Sequence, residues 1–145
     1  ELAEQKNTKI HLPVDVVCAK EFKEGAESKI FAINSISDEY QGLDSGPKSL
    51  EKFKKIIMSS KTILWNGPVG VFELESFSKG TQEIGTAIAE STKSGAFSLV
   101  GGGDSVAAVK KFKLENEVSC VSTGGGAMLE SLEGKILPGI GALKK

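Results

Sequence analysis

Short runs of apolar residues punctuate the chain, and they predict its strands. Four of these runs are continuous rather than alternating in apolar residues, which is typical of strands covered on both faces, as in a parallel sheet. A shorter fifth run is a further candidate. The four runs and then the fifth are residues 10–19, 62–65, 97–100, 118–121 and 30–33.

Between these runs, apolar residues recur every three or four positions, which is the spacing of a helix with one buried face. Helices are predicted after Pro47 to near Ser59, over about 77–92, and from about 105 to 112 with Asp104 as N-cap. Gly95 and Asn116 are the expected stops, and the opening residues 2–6 look like the last turns of another helix. Alternating strands and helices predict an α/β fold, a three-layer α/β/α parallel sheet of Rossmann-like type.

The bulk composition excludes several classes of protein. A chain of 145 residues, 39% apolar and 26% charged, is sufficient for one domain with a packed core. The net charge of −1 offers no footprint for a nucleic acid or an anionic membrane. No apolar run approaches the roughly 18 residues of a membrane helix, and the polar start, residues 1–9, is unlike a signal peptide.

The two cysteines and the single histidine give no sign of a metal or nucleophile site. Cys18 and Cys120 are far apart and share no CxxC spacing, so we expect two buried free thiols in a reducing, cytoplasmic compartment. His11 belongs to no recognisable metal or triad motif, and we expect no chemical role for it.

Glycine is the unusual feature of the composition. The chain has 17 glycines, where an average chain of this length has about 10. Many lie in three turns that each follow a predicted strand: NGPVG at 66–70, GGGD at 101–104 and TGGG at 123–126. Such turns let a backbone approach an anion beyond the carboxyl ends of the strands. A tight connection without a ligand explains one glycine pair, but the two triple runs favour a bound phosphate.

Standard nucleotide motifs are absent, and two acidic residues keep open roles. The sequence has neither a GxxxxGK[ST] P-loop nor a GxGxxG fingerprint followed by an acid about 20 residues later. Asp104 directly follows a glycine run, where it suits Mg²⁺ shared with phosphate oxygens, and it suits a helix N-cap equally well. Glu73 could bond a ribose, although its spacing favours a solvated helix start.

Several segments, taken together, resemble one family. WNGPVGVFE at 65–73, GGGDS at 101–105 and STGGGAMLESLEGKILPG at 122–139 are similar to the C-terminal signatures of the phosphoglycerate kinase family. LPVDVV at 12–17 and GLDSGPKS at 42–49 fit the same family in the same order. The resemblance covers nearly the whole chain, with two small departures: Ser105 where threonine is common, and Met128 where a small polar residue is usual.

The resemblance implies a function and a set of site residues. Family members transfer a phosphoryl group between 1,3-bisphosphoglycerate and ADP with Mg²⁺, giving 3-phosphoglycerate and ATP in glycolysis, and are expected to be monomeric. An N-terminal domain binds the phosphoglycerate and a C-terminal domain binds ATP or ADP. The implied nucleotide-binding residues are Gly42 and Leu43 for adenine, Asn66, Gly67, Val69 and Phe72 beside the nucleotide, Glu73 for ribose, and Gly102, Gly103, Asp104 and Ser105 at the phosphates. Asp104 and Ser105 would also sit at the metal, and Gly124, Gly125 and Gly126 would open the helix facing the transferred phosphate.

The resemblance also implies that much of the enzyme is absent from this sequence. Residues 1–145 would be the second half of the nucleotide-binding domain, with 136–145 the tail that returns towards the N-terminal domain. The glycerate-binding domain and the family's phosphate-contacting lysines would be missing, so we expect the chain alone to be inactive and to bind nucleotide weakly if at all.

Two other classes of function remain as alternatives. A non-catalytic binding module could reuse the glycine turns, and the length of the source protein would discriminate it from a truncated enzyme. A dinucleotide-dependent oxidoreductase is disfavoured by the missing fingerprint, and nicotinamide binding without competition by ATP would favour it.

Overall fold

The computed structural model describes residues 1–143, so positions 144 and 145 of the predicted tail lie outside the described residues. Among the described residues, no helix combines the length and apolar character that a membrane crossing demands. In chain order, the elements are α1 (Leu2–Gln5), β1 (Asp15–Ala19), β2 (Ser28–Ala32), β3 (Gln41–Ser45), α2 (Pro47–Ser59), β4 (Thr62–Trp65), a 3₁₀ turn (Glu75–Phe77), α3 (Lys79–Lys93), β5 (Phe97–Gly101), α4 (Gly103–Lys111), β6 (Cys120–Ser122), α5 (Gly125–Leu132) and α6 (Pro138–Leu143).

The chain divides into two compact units. The first unit comprises residues 1–56 and 69–84, and the second comprises residues 57–68 together with the chain from Gly85 onwards. Each unit has its own three-stranded sheet, and the two sheets differ in strand direction. The units are therefore described separately.

The second unit contains the predicted parallel sheet. Its strand order is β4-β5-β6, and both pairs are parallel, with Leu64 opposite Leu99 and Leu99 opposite Cys120. The middle strand and the helix after it each contribute a fully buried side chain to the core, since Val100 and Val109 are both 0% exposed. An α/β fold with a parallel sheet flanked by helices is thereby confirmed. The carboxyl ends of all three strands lie on one edge of this sheet, as parallel strands require.

The first unit departs from the predicted parallel arrangement. Its sheet has the order β2-β1-β3, and both pairs are antiparallel. The physical reason lies in the connection between β1 and β2, because residues 20–27 are too few for the crossover of a dozen or more residues that parallel neighbours need. The prediction of buried parallel strands at 10–19 and 30–33 is wrong in this respect, and β2 is mostly exposed.

The strand bounds also differ in the first unit. Residues 10–14 lie outside β1, where Ile10 and Leu12 are 69% and 67% exposed; Pro13 has no N–H to offer a ladder. The strand β3 was not predicted at all, because only Leu43 in QGLDS is strongly apolar and glycine, aspartate and serine disfavour strands.

Some local expectations were wrong as well. Gly102, not Asp104, is the N-cap of α4, which ends at Lys111, close to the predicted end near residue 112 but before the expected stop at Asn116. Cys18 is buried and free as expected, whereas the free Cys120 is exposed, because β6 pairs with β5 alone in the described sheet.

A buried aspartate fixes the start of α2 in the first unit. Asp15, at the beginning of β1, accepts the N–H groups of Ser49 (2.8 Å) and Lys48 (3.0 Å) and the Ser49 hydroxyl (2.6 Å). Burial alone would raise the pKa of Asp15, but the hydrogen bonds from Ser49 and Lys48 outweigh it and lower the pKa below its ordinary value. The carboxylate therefore stabilises the fold above that ordinary pKa, and the stabilisation is lost as the pH falls.

Candidate functional site

The end of β4 is held in place by hydrogen bonds within the second unit. Gly67 has φ of +116°, a conformation that favours glycine strongly. Its N–H donates to the Ser105 hydroxyl at 2.6 Å, and its carbonyl accepts the Trp65 indole N–H at 2.8 Å. Ser105 is 0% exposed, and its hydroxyl links the turn after β4 to the first turn of α4.

The glycine run after β5 forms a sharp turn into α4. Gly102 has φ of +90° and is the N-cap of the helix. A Cβ at Gly102 would also lie 2.5 Å from the Asn66 side-chain oxygen, so both the backbone and its neighbour require glycine here. Gly103 begins α4, as the sequence predicts for a turn that leads straight into a helix.

The glycine run after β6 packs directly on the run after β5. A Cβ at Gly125 would overlap the Gly102 amide nitrogen and lie 2.6 Å from Gly102 Cα. A Cβ at Gly101 would lie 2.7 Å from the Met128 sulfur. The two turns are thus in backbone contact, and close packing accounts for Gly125 without any ligand, whereas Gly101 faces only the flexible end of the Met128 side chain.

Three other glycines in these runs have no such structural cause. A Cβ at Gly103, Gly124 or Gly126 would meet no atom within 4 Å, and none of the three has a positive φ. Neither packing nor backbone conformation therefore requires glycine at these positions in the second unit. Three positions left bare of side chains beside the N-termini of α4 and α5 form a cradle that a bound group can approach closely.

The predicted residues that follow β4 and β5 lie together around an open cavity of about 200 Å³ in the second unit, and the described lining does not include Gly124, Gly125 or Gly126. Among the described lining residues, Asp104 carries the only charged side chain; it is exposed and lies in the first turn of α4 without a capping hydrogen bond. The first N–H groups of α4 and α5 have no acceptor within their own helices, which makes each N-terminus receptive to an anion. The lining residues are Asn66, Gly67, Gly102, Gly103, Asp104 and Ser105.

The donor set at Asp104 limits the kind of metal site that is possible. Within residues 1–143, no group of three or more His, Cys, Asp or Glu side chains is placed to hold a metal ion. A single exposed carboxylate does fit Mg²⁺, which commonly takes one or two carboxylates and completes its shell with water and phosphate oxygens. The hydroxyl of Ser105 is buried and accepts the Gly67 N–H, so its metal role stays a prediction.

The remaining predicted site residues lie in the first unit. Gly42 is exposed on β3, whereas the Leu43 side chain is 4% exposed and packs with Ala19 and Phe77. The segment 69–73 follows β3 closely: the Val71 N–H donates to the Leu43 carbonyl at 2.8 Å, and the Ser45 hydroxyl donates to the Val69 carbonyl at 3.2 Å.

Two side chains of that segment differ in exposure. Phe72 is 5% exposed and Glu73 is exposed. The segment therefore combines a buried aromatic anchor with an adjacent accessible carboxylate. The nucleotide-binding roles of Gly42, Leu43, Val69, Phe72 and Glu73 stay predictions.

One further buried acid in this unit could not be found from sequence reasoning. Asp44, next to Leu43, is 5% exposed and accepts the N–H of Gly80 at 2.7 Å and of Ser45 at 2.8 Å. Burial raises the pKa of Asp44 to about 6 despite these hydrogen bonds. Only the three-dimensional packing distinguishes it from an ordinary polar residue shortly before the Gly46-Pro47 pair.

Comparison with known proteins gives a consistent result. A family model described as phosphoglycerate kinase matches residues 1–135. The chain is 54% identical over 142 residues to a phosphoglycerate kinase of Porphyromonas gingivalis, covering 98% of this chain and 34% of that protein. It is 54% identical over 144 residues to one of Thermosipho africanus, covering 99% of this chain and 36% of that protein.

Solved structures agree with the sequence relatives. The phosphoglycerate kinase structure from Coxiella burnetii has a TM-score of 0.91 and 46% identity, covering 99% of this chain and 36% of that chain. That from Pyrococcus horikoshii OT3 has a TM-score of 0.80 and 36% identity, covering 99% of this chain and 34% of that chain. The chain thus spans about a third of the length of the relatives that it matches.

Proposed function

This chain belongs to the phosphoglycerate kinase family, and we propose from that membership that it is the ATP- and ADP-binding part of such an enzyme. The whole enzyme would transfer a phosphoryl group reversibly between 1,3-bisphosphoglycerate and ADP, giving 3-phosphoglycerate and ATP. The 3-phosphoglycerate would be bound by an N-terminal domain, which corresponds to sequence that the relatives have and this chain does not.

The observation that carries the proposal is the row of unexplained glycines in the second unit. Gly103, Gly124 and Gly126 leave open space where a side chain would lie, although no packing contact or positive φ demands glycine there. A nucleotide phosphate that approaches the backbone would supply the missing reason. Gly67, Gly102 and Gly125 serve the same site indirectly, because conformation or packing fixes them in place.

The proposed chemistry needs charge stabilisation more than a base. An acyl phosphate transfers to an ADP oxygen that is already anionic, so no strong base has to remove a proton. Catalysis is then positioning together with stabilisation of the charge on the moving phosphoryl group. Backbone N–H groups at the starts of α4 and α5 would bind the phosphate oxygens, and Ser105 would keep the turn at Gly67 in register.

Asp104 is the proposed ligand of Mg²⁺ in this site. When bound, the metal would neutralise charge on the nucleotide phosphates. The exposure of Asp104 at the cavity rim leaves its carboxylate accessible for that role. In the first unit, we assign Gly42, Leu43, Val69 and Phe72 to the base side and Glu73 to the ribose. A cytoplasmic location and a monomeric whole enzyme complete the proposal, the former supported by the free Cys18 and Cys120.

The isolated chain is expected to show no kinase turnover. It spans about a third of the length of its relatives, and the whole enzyme's glycerate site and phosphate-contacting lysines would lie in the other two thirds. The measurement is a coupled assay of ATP formation with the purified chain of 145 residues. Turnover above the rate without protein would contradict this expectation.

Replacing Gly126 with alanine separates the ligand role from the fold. A Cβ there meets nothing within 4 Å, and alanine favours a helix over glycine by up to about 1 kcal/mol. The free energy of unfolding should therefore be unchanged or slightly higher, while kcat/KM for ADP falls about tenfold or more because the methyl group occupies phosphate space. The enzyme for this measurement is a chimaera in which this chain replaces the matching third of the Porphyromonas gingivalis relative. Normal kcat/KM would show that the open space at Gly126 is not used by the nucleotide.

A further inference from the structure

Asp44 is buried in the first unit, in a socket between Gly70 and Gly80 beside an open cavity of about 430 Å³, and the proposed chemistry does not use it. Its two carboxylate oxygens accept the N–H of Ser45, on its own strand, and the N–H of Gly80, in the first turn of α3. An anion at this position also favours the helix N-terminus. The side chain thus connects the end of β3 to the start of α3.

Two glycines close round this carboxyl group. A Cβ at Gly70 would lie 2.6 Å from the Asp44 carboxyl carbon and 2.9 Å from the Phe77 carbonyl oxygen. A Cβ at Gly80 would lie 2.9 Å from the same carboxyl carbon. Backbone from two separate segments therefore confines the group on two sides, and the segment containing Gly70 packs directly on it.

That segment is also tied to the strand and helix that Asp44 joins. Besides the bonds from Val71 to Leu43 and from Ser45 to Val69, the Val69 N–H donates to the Thr81 hydroxyl at 3.3 Å. Residues 69–73 are therefore anchored to β3 on one side and to α3 on the other. A change in the spacing between β3 and α3 would be transmitted to these residues.

We propose that Asp44 is a positioning residue for nucleotide binding, which holds Val69, Phe72 and Glu73 in place by fixing residues 69–73 between β3 and α3. The inference rests on the proposed function, which assigns these residues to the base and ribose. Asp44 itself touches no part of the nucleotide in this account. Its loss should weaken binding of the nucleoside moiety more than it slows phosphoryl transfer.

The charge state of Asp44 makes nucleoside affinity depend on pH, and a purely structural role would not produce that dependence. Burial raises the pKa of Asp44 to about 6; the other charged groups that act on it are Glu83, which raises the pKa, and Lys79, which lowers it, both on α3. On protonation below that pH, the carboxyl group keeps one good acceptor for its two N–H partners and presents a hydroxyl to the other. Nucleoside affinity should therefore fall as the pH drops through about 6.

The test compares Asp44→Asn with Asp15→Asn in the chimaera. Both aspartates are buried in the first unit and cap a helix, but Asp15 serves α2 and does not contact residues 69–73 through any hydrogen bond described here. Asp44→Asn should raise KM for ADP about fivefold or more with kcat changed less than about twofold. Asp15→Asn should leave KM for ADP within about twofold, whatever it does to thermal stability.

Adenosine is the second probe, because it carries no phosphate that titrates near pH 6. Its inhibition constant should rise in Asp44→Asn and, in the unaltered chimaera, as the pH falls from 7.5 to 5.5, with that pH effect lost in the variant. If Asp44→Asn does not fold, Ser45→Ala, which removes the bond to the Val69 carbonyl, and the pH profile of the unaltered chimaera still decide the question.

Two different negative outcomes are distinguishable. Equal KM for ADP in Asp44→Asn and the unaltered chimaera, or a flat adenosine pH profile in the latter, would overturn the positioning role. Failure of a folded, unaltered chimaera to bind ADP at all would instead contradict the proposed function.

Discussion

Replacing Asp104 with alanine in the chimaera is expected to lower kcat by about two orders of magnitude or more. In the part of the chain that the structure describes, Asp104 is the only charged side chain that lines the cavity between the turns after β4 and β5, and we propose it as the protein's own ligand to Mg²⁺. Removing it would leave the developing charge on the transferred phosphoryl group less stabilised, an effect that is large in phosphoryl transfer.

The same substitution should cost little stability. The Asp104 side chain is exposed and makes no capping hydrogen bond, so its contribution is limited to a favourable charge in the first turn of α4. That contribution is worth less than about 1 kcal/mol. Thermal unfolding and steady-state kinetics on one preparation therefore separate a metal ligand from a structural aspartate.

Glu115→Ala provides the matched control for Asp104→Ala. Glu115 is another exposed acid in the second unit, and it lies away from the cavity residues. The Glu115→Ala substitution should leave kcat unchanged, and raising the Mg²⁺ concentration should not alter the kcat of this variant. If Asp104→Ala keeps a kcat similar to that of Glu115→Ala, Asp104 serves only the charge balance of α4.

Gly125→Ala is expected to damage both the fold and the activity, in contrast to Gly126→Ala one residue later. The new Cβ would overlap the Gly102 amide nitrogen and lie 2.6 Å from Gly102 Cα. Both colliding atoms belong to backbone, so one of the two turns must shift. Overpacking of this kind typically costs about 1–3 kcal/mol.

The displacement would also misalign the phosphate cradle. Gly102 is the N-cap of α4, and Gly125 begins α5, so their separation sets the distance between the two helix N-termini. We expect kcat/KM to fall together with the free energy of unfolding in Gly125→Ala, measured by urea titration and a coupled assay. An unchanged unfolding free energy in Gly125→Ala would show that the two turns are not packed as described.

The sequence predicted the parallel sheet better than the antiparallel one for a physical reason. The apolar runs at 62–65 and 97–100 are continuous and short, as is typical of parallel strands, and they coincide with β4 and β5 to within one residue, although Leu64 and Phe97 are exposed among the described residues. The strand β3 has no apolar run that would predict it, because its sequence, QGLDS, is largely polar. Its burial comes from packing against the rest of the first unit. Strand direction in that unit depends on the short connection at residues 20–27, and the pattern of apolar residues does not predict strand direction.

In the candidate site, too, the sequence pattern determines some features and the packing of the folded chain determines others. The position of each glycine turn after a strand was predictable, because the sheet edge where parallel strands end is a general property of the fold. The sequence could not predict which glycines serve packing and which leave open space, because Gly125 is explained only by its contact with Gly102. Asp44 was missed for the same reason, since its N–H partners and its glycine socket come together only in the folded chain.

The most direct measurement of the central claim is ATP formation from 1,3-bisphosphoglycerate and ADP by the chimaera, beside the isolated chain and the full-length Porphyromonas gingivalis enzyme. If the glycine turns and Asp104 form a working nucleotide site, the chimaera turns over, the Asp104→Ala chimaera does so at least about a hundredfold more slowly, and the isolated chain does not turn over. A folded chimaera without turnover, under conditions in which the full-length enzyme is active, would contradict the account.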